Sequence, residues 1–95
     1  MPVGSRRSEL EIIRDILRIG GGRTTALRYN VNLSHLQMQK YLSFLERSSL
    51  IHLERQGSRT SSFQVTDKGH LALEELERLF DILGIGAWSE AGEQA

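Results

Sequence analysis

Residues Ser34–Ser48 read SHLQMQKYLSFLERS, and the reading of this stretch decides the fold. Met38, Leu42 and Leu45 recur at i, i+4 and i+7, the spacing of one helical face. Ser34, His35 and Tyr41 flank that stripe, while Leu36, Gln39, Lys40, Ser43 and Arg47 fall on the opposite side. Ser34 is placed to cap the helix, with Gln37 three residues on, as in a capping box. A core-facing helix whose outer face mixes amides, hydroxyls and cations suits the reading of DNA. The same pattern describes an ordinary surface helix, so the neighbouring segments must decide.

Working backwards, Asn30-Val31-Asn32-Leu33 reads as a turn, since asparagine tolerates left-handed geometry. Leu33, just before the cap, can staple onto the first turn of the helix. Arg23-Thr24-Thr25 opens a short helix to about Tyr29, with Ala26, Leu27 and Tyr29 expected to face inward. Two helices joined by a short turn, the second longer and amphipathic, form a helix-turn-helix. Before them, Gly20-Gly21-Gly22 ends an earlier helix by supplying a left-handed residue. It is not a phosphate loop, because it follows a helix and no Gly-Lys-Ser/Thr succeeds it. That first helix starts at Ser8, a plausible N-cap with Glu9 and Glu11 in the first turn, and runs to about Ile19. Leu10, Ile13 and Leu17 form one apolar stripe on it; Ile12, Ile16 and Ile19 form a second that invites another element or subunit.

Working forwards, Leu50–Arg55 (LIHLER) alternates Ile51 and Leu53 with His52 and Glu54, the pattern of a strand. Gln56–Ser61 (QGSRTS) reads as a polar loop with a flexible tip, and Ser62–Val65 (SFQV) as the returning strand. A hairpin directly after a helix-turn-helix is a wing. Thr66 then caps a final helix running to about Leu83, roughly 25 Å long, which Gly84 stops. Leu73, Leu76, Phe80 and Leu83 follow the a/d spacing of a coiled coil. Leu71, Ala72, Leu79 and Ile82 widen the apolar arc well beyond a single stripe. Such a helix leaves a large apolar patch exposed on a monomer, so we expect a homodimer with Leu73, Leu76, Leu79, Phe80 and Leu83 at its interface. The competing arrangement is that the first helix covers this face within one chain.

The fold class expected is therefore mainly α with a β-hairpin wing. A winged helix-turn-helix domain spans 8–66, a dimerisation helix 67–84, and tails occupy 1–7 and 85–95. Residues 1–7 are expected to fray, and Ile85 and Trp88 to pack back on the dimer seam or lie in a disordered tail.

At 95 residues, 39% hydrophobic and 25% charged, the chain is an ordinary small globular domain that gains from a partner subunit. It has no cysteine, so a disulfide framework and a thiolate metal site are excluded. No apolar run is long enough to span a membrane, and MPVGSRR lacks the apolar core of a signal peptide, so a cytoplasmic protein is expected. The net charge of zero hides an asymmetry. Residues 1–68 carry eleven Lys and Arg against six Asp and Glu, whereas residues 69–95 carry one Arg against six acids. The basic body points to an anionic partner.

The order helix, helix-turn-helix, hairpin, long helix is that of a winged-helix domain. The wording ELEIIRDILRI, NLSHLQMQKYLSFLERSSLI and FQVTDKGHLALEEL resembles a small archaeal winged-helix family with EIIxDIL, NLSxxQxxKYLxxL and YxVTxKG segments, over roughly 8–83. The resemblance implies transcriptional regulators or nucleoid-type DNA binders, some dimerising through a C-terminal coiled coil. It implies a nucleoid association if the chain binds DNA. This chain departs where the family reads EKGLI, because Arg47-Ser48-Ser49-Leu50-Ile51 carries no glycine.

DNA affinity comes largely from phosphate neutralisation and specificity from base edges. On the recognition helix, 34–48, Gln37 and Gln39 suit adenine edges, Lys40 guanine or phosphate, and Leu36 a thymine methyl. Ser34 and His35 lie at the end that enters a groove first. Arg47 lies farther along and suits phosphate or a carboxylate. Arg23, Thr24 and Thr25 can bind phosphate at the start of the preceding helix. Arg55 and Arg59 frame the wing, 56–61, where an arginine can enter the minor groove. Each has a plain alternative: Gln and Lys are common solvated residues, and Arg28 and Arg47 can pair with acids.

Enzymatic readings fail on spacing. His35, His52 and His70 fall on three elements without a metal-ligand pattern, and His52 is expected to be exposed. No paired inward carboxylates or Ser/His/Asp arrangement occurs, and no cofactor is implied. The partners expected are double-stranded DNA and a second copy of the chain. The alternative is a winged-helix protein-interaction module, motivated by the zero net charge and the exposed positions expected for Leu36 and Phe44.

Overall fold

Ser8 accepts a hydrogen bond from Glu11 N–H at 3.2 Å, and the Glu11 carboxylate accepts from Ser8 N–H at 2.9 Å. This capping box, worth about 1 kcal/mol, starts helix α1 (Glu9–Ile19), and Gly20 ends it at φ 86°. The computed structural model describes residues 8–84, so the expectations for 1–7 and 85–95, including Ile85 and Trp88 on a dimer seam, lie outside the described residues. After α1 come β1 (Gly21–Arg23), α2 (Thr24–Val31), α3 (His35–Arg47), β2 (Ile51–Gln56), β3 (Arg59–Val65) and α4 (Asp67–Leu83). The architecture is α+β: the described helices pack on a three-stranded antiparallel sheet of order β1-β3-β2.

Gly20 alone acts as the helix stop. Gly21-Gly22-Arg23, read in the sequence as part of that stop and of the next helix start, instead forms β1 and pairs with Gln64, Phe63 and Ser62 of β3. A Cβ on Gly21 would lie 3.1 Å from Phe63 O, and its φ of 158° is nearly extended, so the missing side chain permits close pairing.

Helix α2 extends two residues beyond the expected end. Its inward face is Thr24, Leu27 and Val31, at i, i+3 and i+7. Ala26 and Tyr29, expected inward, are exposed, Tyr29 at 82%. The helix ends at Asn32, φ 58°, with Leu33 N–H donating to Arg28 O at 3.0 Å and Asn32 N–H to Tyr29 O at 3.3 Å. This paired closure is a Schellman turn, and it buries Leu33.

The Ser34–Gln37 capping box opens α3 as expected. Met38, Tyr41, Leu42 and Leu45 are buried. They meet Ile12, Ile16 and Leu17 of α1, Leu27 and Val31 of α2, Ile51 and Leu53 of β2, and Phe63 and Val65 of β3. At the far end Ser49 N–H donates to Glu46 O and Leu50 N–H to Leu45 O, both at 2.9 Å. That second Schellman turn places Ser49 at φ 63°, the position where the resembling family has glycine.

The wing is longer and its tip tighter than the sequence implied. Gln56 and Arg59 are paired strand residues, and only Gly57-Ser58 turns the chain, with Gly57 at φ 63°. The expected six-residue flexible loop is therefore mostly ladder.

Helix α4 has the expected bounds, with Thr66 accepting from Gly69 N–H at 3.0 Å and Gly84 as left-handed stop. Its start is fastened to the end of α3. Thr66 Oγ1 donates to Ser49 O at 2.7 Å, Thr66 N–H to Leu50 O at 3.0 Å, and Lys68 Nζ to Ser48 O at 3.0 Å. The VTDKG stretch is thus a docking device in which Gly69 leaves room for the Leu50 carbonyl. Farther along, α4 packs on α1. Phe80, expected on the dimer seam, is 3% exposed inside its own chain, with Arg14 Cζ 5.0 Å from its ring centre. Leu73 and Leu76 are half-buried against the core. Leu71, Leu79, Ile82 and Leu83 remain exposed, as do Leu10 and, to a lesser degree, Ile19 on α1. No helix among the described residues is long and apolar enough to cross a membrane.

Candidate nucleic-acid interface

Between α3 and the wing lies an open groove of about 550 Å³. Arg23, Thr24, Thr25 and Arg28 line one wall from β1 and α2. His35, Met38 and Gln39 of α3 form its floor, and Gln56, Ser58 and Arg59 of the wing, with Thr60 and Ser61, close the other wall. Among the described residues no Asp or Glu lines it.

Two fastenings hold the walls together. The β1–β3 ladder attaches the start of α2 to the wing. Thr24, buried at 4%, donates its hydroxyl to Thr60 O at 3.2 Å. That hydroxyl joins two protein walls rather than facing outward, so the phosphate role expected of the Thr24 side chain does not fit its position. Thr25, one residue on, is exposed.

The residues picked from the sequence fall into three sets. Arg23, Thr25, His35, Gln39 and Arg59 meet at the groove. Gln39 Nε2 lies 3.0 Å from His35 Nε2, one helical turn away. The side chains of Arg23 and Arg59 form no hydrogen bond or ion pair among the described residues, so their guanidiniums are available.

The second set is occupied within the chain. The side chains of Ser34 and Gln37 close the capping box, at 3.1 Å and 3.0 Å. Lys40 pairs with Glu9 of α1 at 3.1 Å, and that carboxylate holds the ammonium above the ordinary lysine pKa of 10.5. Arg55 pairs with Glu46 at 3.4 Å. The edge of α3 that faces the groove is therefore His35–Gln39, not Gln37–Lys40. The third set lies off the groove: Leu36 is 77% exposed, and Arg47 is exposed near the end of α3.

Arg28 was missed as a site residue because ion pairing accounted for it equally well. The signal was present: Thr25 and Arg28 stand at i, i+3 on one side of a short helix whose other side holds Leu27 and Val31.

Away from the groove, His52 is exposed, 3.8 Å from Glu54 on its own strand. No group of three or more His, Asp or Glu is placed to hold a metal ion among the described residues. A second, smaller cavity of about 230 Å³ lies between α1 and α4, where Arg18 pairs with Glu77 at 2.8 Å.

Against known proteins, residues 6–84 match the family model described as winged helix-turn-helix. No curated protein sequence matches the chain. Among solved structures it is similar to Sso10a-2, a DNA-binding protein from Sulfolobus solfataricus. The TM-score is 0.74 at 24% identity, over 93% of this chain and 96% of that one. It is similar to the transcriptional regulator BldR from the same organism, with TM-score 0.70 and 17% identity over 83% of this chain, which spans 60% of BldR. It is also similar to ZitR, a zinc-responsive MarR family member from Lactococcus lactis. There the TM-score is 0.59 at 16% identity, over 95% of this chain and 64% of that one. At these identities the likeness is one of fold.

Proposed function

The chain belongs to the winged helix-turn-helix family, and we propose that it is a DNA-binding transcriptional regulator that acts on duplex DNA at the nucleoid. The observation that carries this reading is the groove between α3 and the wing, which Arg23, Arg28 and Arg59 line with no carboxylate among the described residues. A guanidinium is permanently charged and bonds phosphate through two N–H groups, so three of them around one concavity suit a polyanion. Helix α3 enters the major groove, His35 and Gln39 face base edges, and Arg59 near the wing tip meets the minor groove. The DNA-binding proteins and regulators among its structural neighbours support this reading through shared fold.

The same proposal includes a homodimer, with 8–66 as the DNA-binding unit and 67–84 as the dimerisation helix. Phe80 serves the chain's own core, which leaves Leu79, Ile82 and Leu83, with Leu71 on the same helix, as the apolar seam. Sedimentation at micromolar concentration is expected to give twice the 10.8 kDa chain mass, and a monomer refutes the seam.

The testing experiment is a titration of duplex DNA at low and moderate salt. Binding is expected to weaken steeply as salt rises, and no binding at low salt refutes the reading. A protein-interaction module is the second reading, favoured by the row Leu36, Lys40 and Phe44 at i, i+4 and i+8, with Leu36 77% and Phe44 44% exposed. Replacing Leu36 and Phe44 by serine separates the two. Under the DNA reading the double variant retains most of its affinity for duplex, whereas the module reading requires the protein to bind no duplex at all.

A further inference from the structure

We infer that Arg28 is a pre-oriented phosphate-binding residue, through which the groove grips the DNA strand running between α3 and the wing; this rests on the DNA-binding reading above. Arg28 and Leu33 are bonded twice. Leu33 N–H donates to the Arg28 carbonyl at 3.0 Å, and Arg28 Nε donates to the Leu33 carbonyl at 3.2 Å. The first bond belongs to the Schellman turn that Asn32 closes at φ 58°. The second uses the inner edge of the guanidinium. The two terminal nitrogens make no bond among the described residues, in a side chain that lines the groove.

A guanidinium held by its inner edge presents its outer edge in one plane, so less rotamer freedom is lost when a ligand arrives. It carries five donors and no acceptor, so the ligand must accept hydrogen bonds. Arg23 and Arg59 flank it and no carboxylate among the described residues shares the groove, so the ligand must also be anionic. The position of the groove specifies which anion. When α3 lies in the major groove and the wing tip in the adjacent minor groove, one sugar-phosphate strand separates them. The concavity between helix and wing is where that strand must pass. A backbone phosphate of duplex DNA is therefore the occupant.

The test compares wild type, Arg28→Ala and Arg28→Lys by fluorescence anisotropy on one labelled duplex over a series of salt concentrations. Thermal unfolding of each variant is recorded alongside. Arg28→Ala is expected to lose about tenfold in affinity near 0.1 M salt and to reduce the magnitude of the log–log salt slope by about 0.9, the share of one phosphate. Arg28→Lys is expected to keep the slope and still bind several-fold more weakly, because lysine has neither the planar fork nor a fixed inner edge. A merely structural arginine would lower the unfolding temperature without moving the slope per phosphate. Wild type that binds duplex while Arg28→Ala keeps both affinity and slope overturns the inference and leaves the DNA reading standing. Wild type that binds no duplex at low salt overturns the DNA reading itself. Displacement of the duplex by inorganic phosphate, beyond the effect of sodium chloride at equal ionic strength, identifies a free-phosphate site and overturns the choice of occupant.

Discussion

Gly69→Ala is expected to destabilise the protein by about 2 kcal/mol, because it loosens the joint between α4 and the winged domain. Gly69 is buried in the first turn of α4. A Cβ there would press on the Leu50 carbonyl oxygen and lie 2.6 Å from Val65 Cγ1. The obstacles are backbone and a β-branched side chain, not the free end of a flexible one, so the joint itself must shift. The same carbonyl accepts Thr66 N–H at 3.0 Å, and Thr66 also bonds Ser49 O at 2.7 Å. Alanine gains about 1 kcal/mol over glycine from helix propensity. Against that, overpacking costs about 1–3 kcal/mol, and weakening the two Thr66 bonds adds about 0.5 kcal/mol each, which leaves a net cost of about 2 kcal/mol. Since 1 kcal/mol moves Tm by roughly 4–8 °C in a domain of this size, Tm should fall by about 10 °C. The assay is thermal unfolding followed by circular dichroism, at one protein concentration because the proposed dimer would make Tm concentration-dependent. Glu74→Ala, on the exposed side of the same helix, is the control and should stay within about 0.5 kcal/mol. A Gly69→Ala protein that melts at or above the wild-type temperature would refute the docking account of VTDKG.

Ser49→Gly should raise stability by about 0.5–1 kcal/mol in the same assay, since a non-glycine residue in the left-handed region costs about 1–2 kcal/mol and glycine's extra chain entropy returns only part of it. Thr24→Val keeps shape but removes the hydroxyl bonded to Thr60 O. It should cost about 1–2 kcal/mol and weaken duplex binding by letting the wing drift from α2, both readable by melting and anisotropy. Glu9→Gln should strengthen duplex binding at low salt by releasing Lys40 and removing a negative charge beside it; unchanged affinity would exclude Lys40 from the interface. In wild type the Lys40 ammonium should titrate above 10.5 by NMR, because Glu9 favours its charged form. The pair is therefore intact at neutral pH and lost as pH rises through that raised value, and Glu9→Gln should return Lys40 toward the ordinary lysine value.

How far the sequence was legible follows the length and apolar content of each segment. Helices α3 and α4 were readable almost to the residue, because each carries several apolar positions at helical spacing after a capping hydroxyl, and α4 ends at a glycine. Strand β1 was not. Three residues, two of them glycine, carry no periodicity, and only the tertiary position of β3 makes them a strand. The outer wing was misread for a related reason. Arg59-Thr60-Ser61 carries no apolar side chain, so its pairing leaves no alternation of apolar and polar residues to detect. In α2 eight residues allow two assignments of the inward face, and Tyr29, the largest apolar candidate, lies on the wrong side of the Thr24–Leu27–Val31 line.

The candidate site was legible in its residue types but not in its grouping, and the reason is electrostatic. From sequence Arg23, Lys40, Arg47, Arg55 and Arg59 have the same standing. In the folded chain Glu9 takes Lys40 and Glu46 takes Arg55, each from a neighbouring element, while Arg23 and Arg59 are left beside Arg28. Exposed ion pairs of this kind contribute little to stability, so their larger effect lies in where they leave charge. They neutralise the flanks of α3 and concentrate the remaining positive charge between α3 and the wing. A chain with no net charge can therefore present a cationic groove. Under the proposed DNA-binding function, attraction of the duplex depends on that local arrangement, and substitutions at Glu9 or Glu46 should change DNA affinity without either residue touching the duplex.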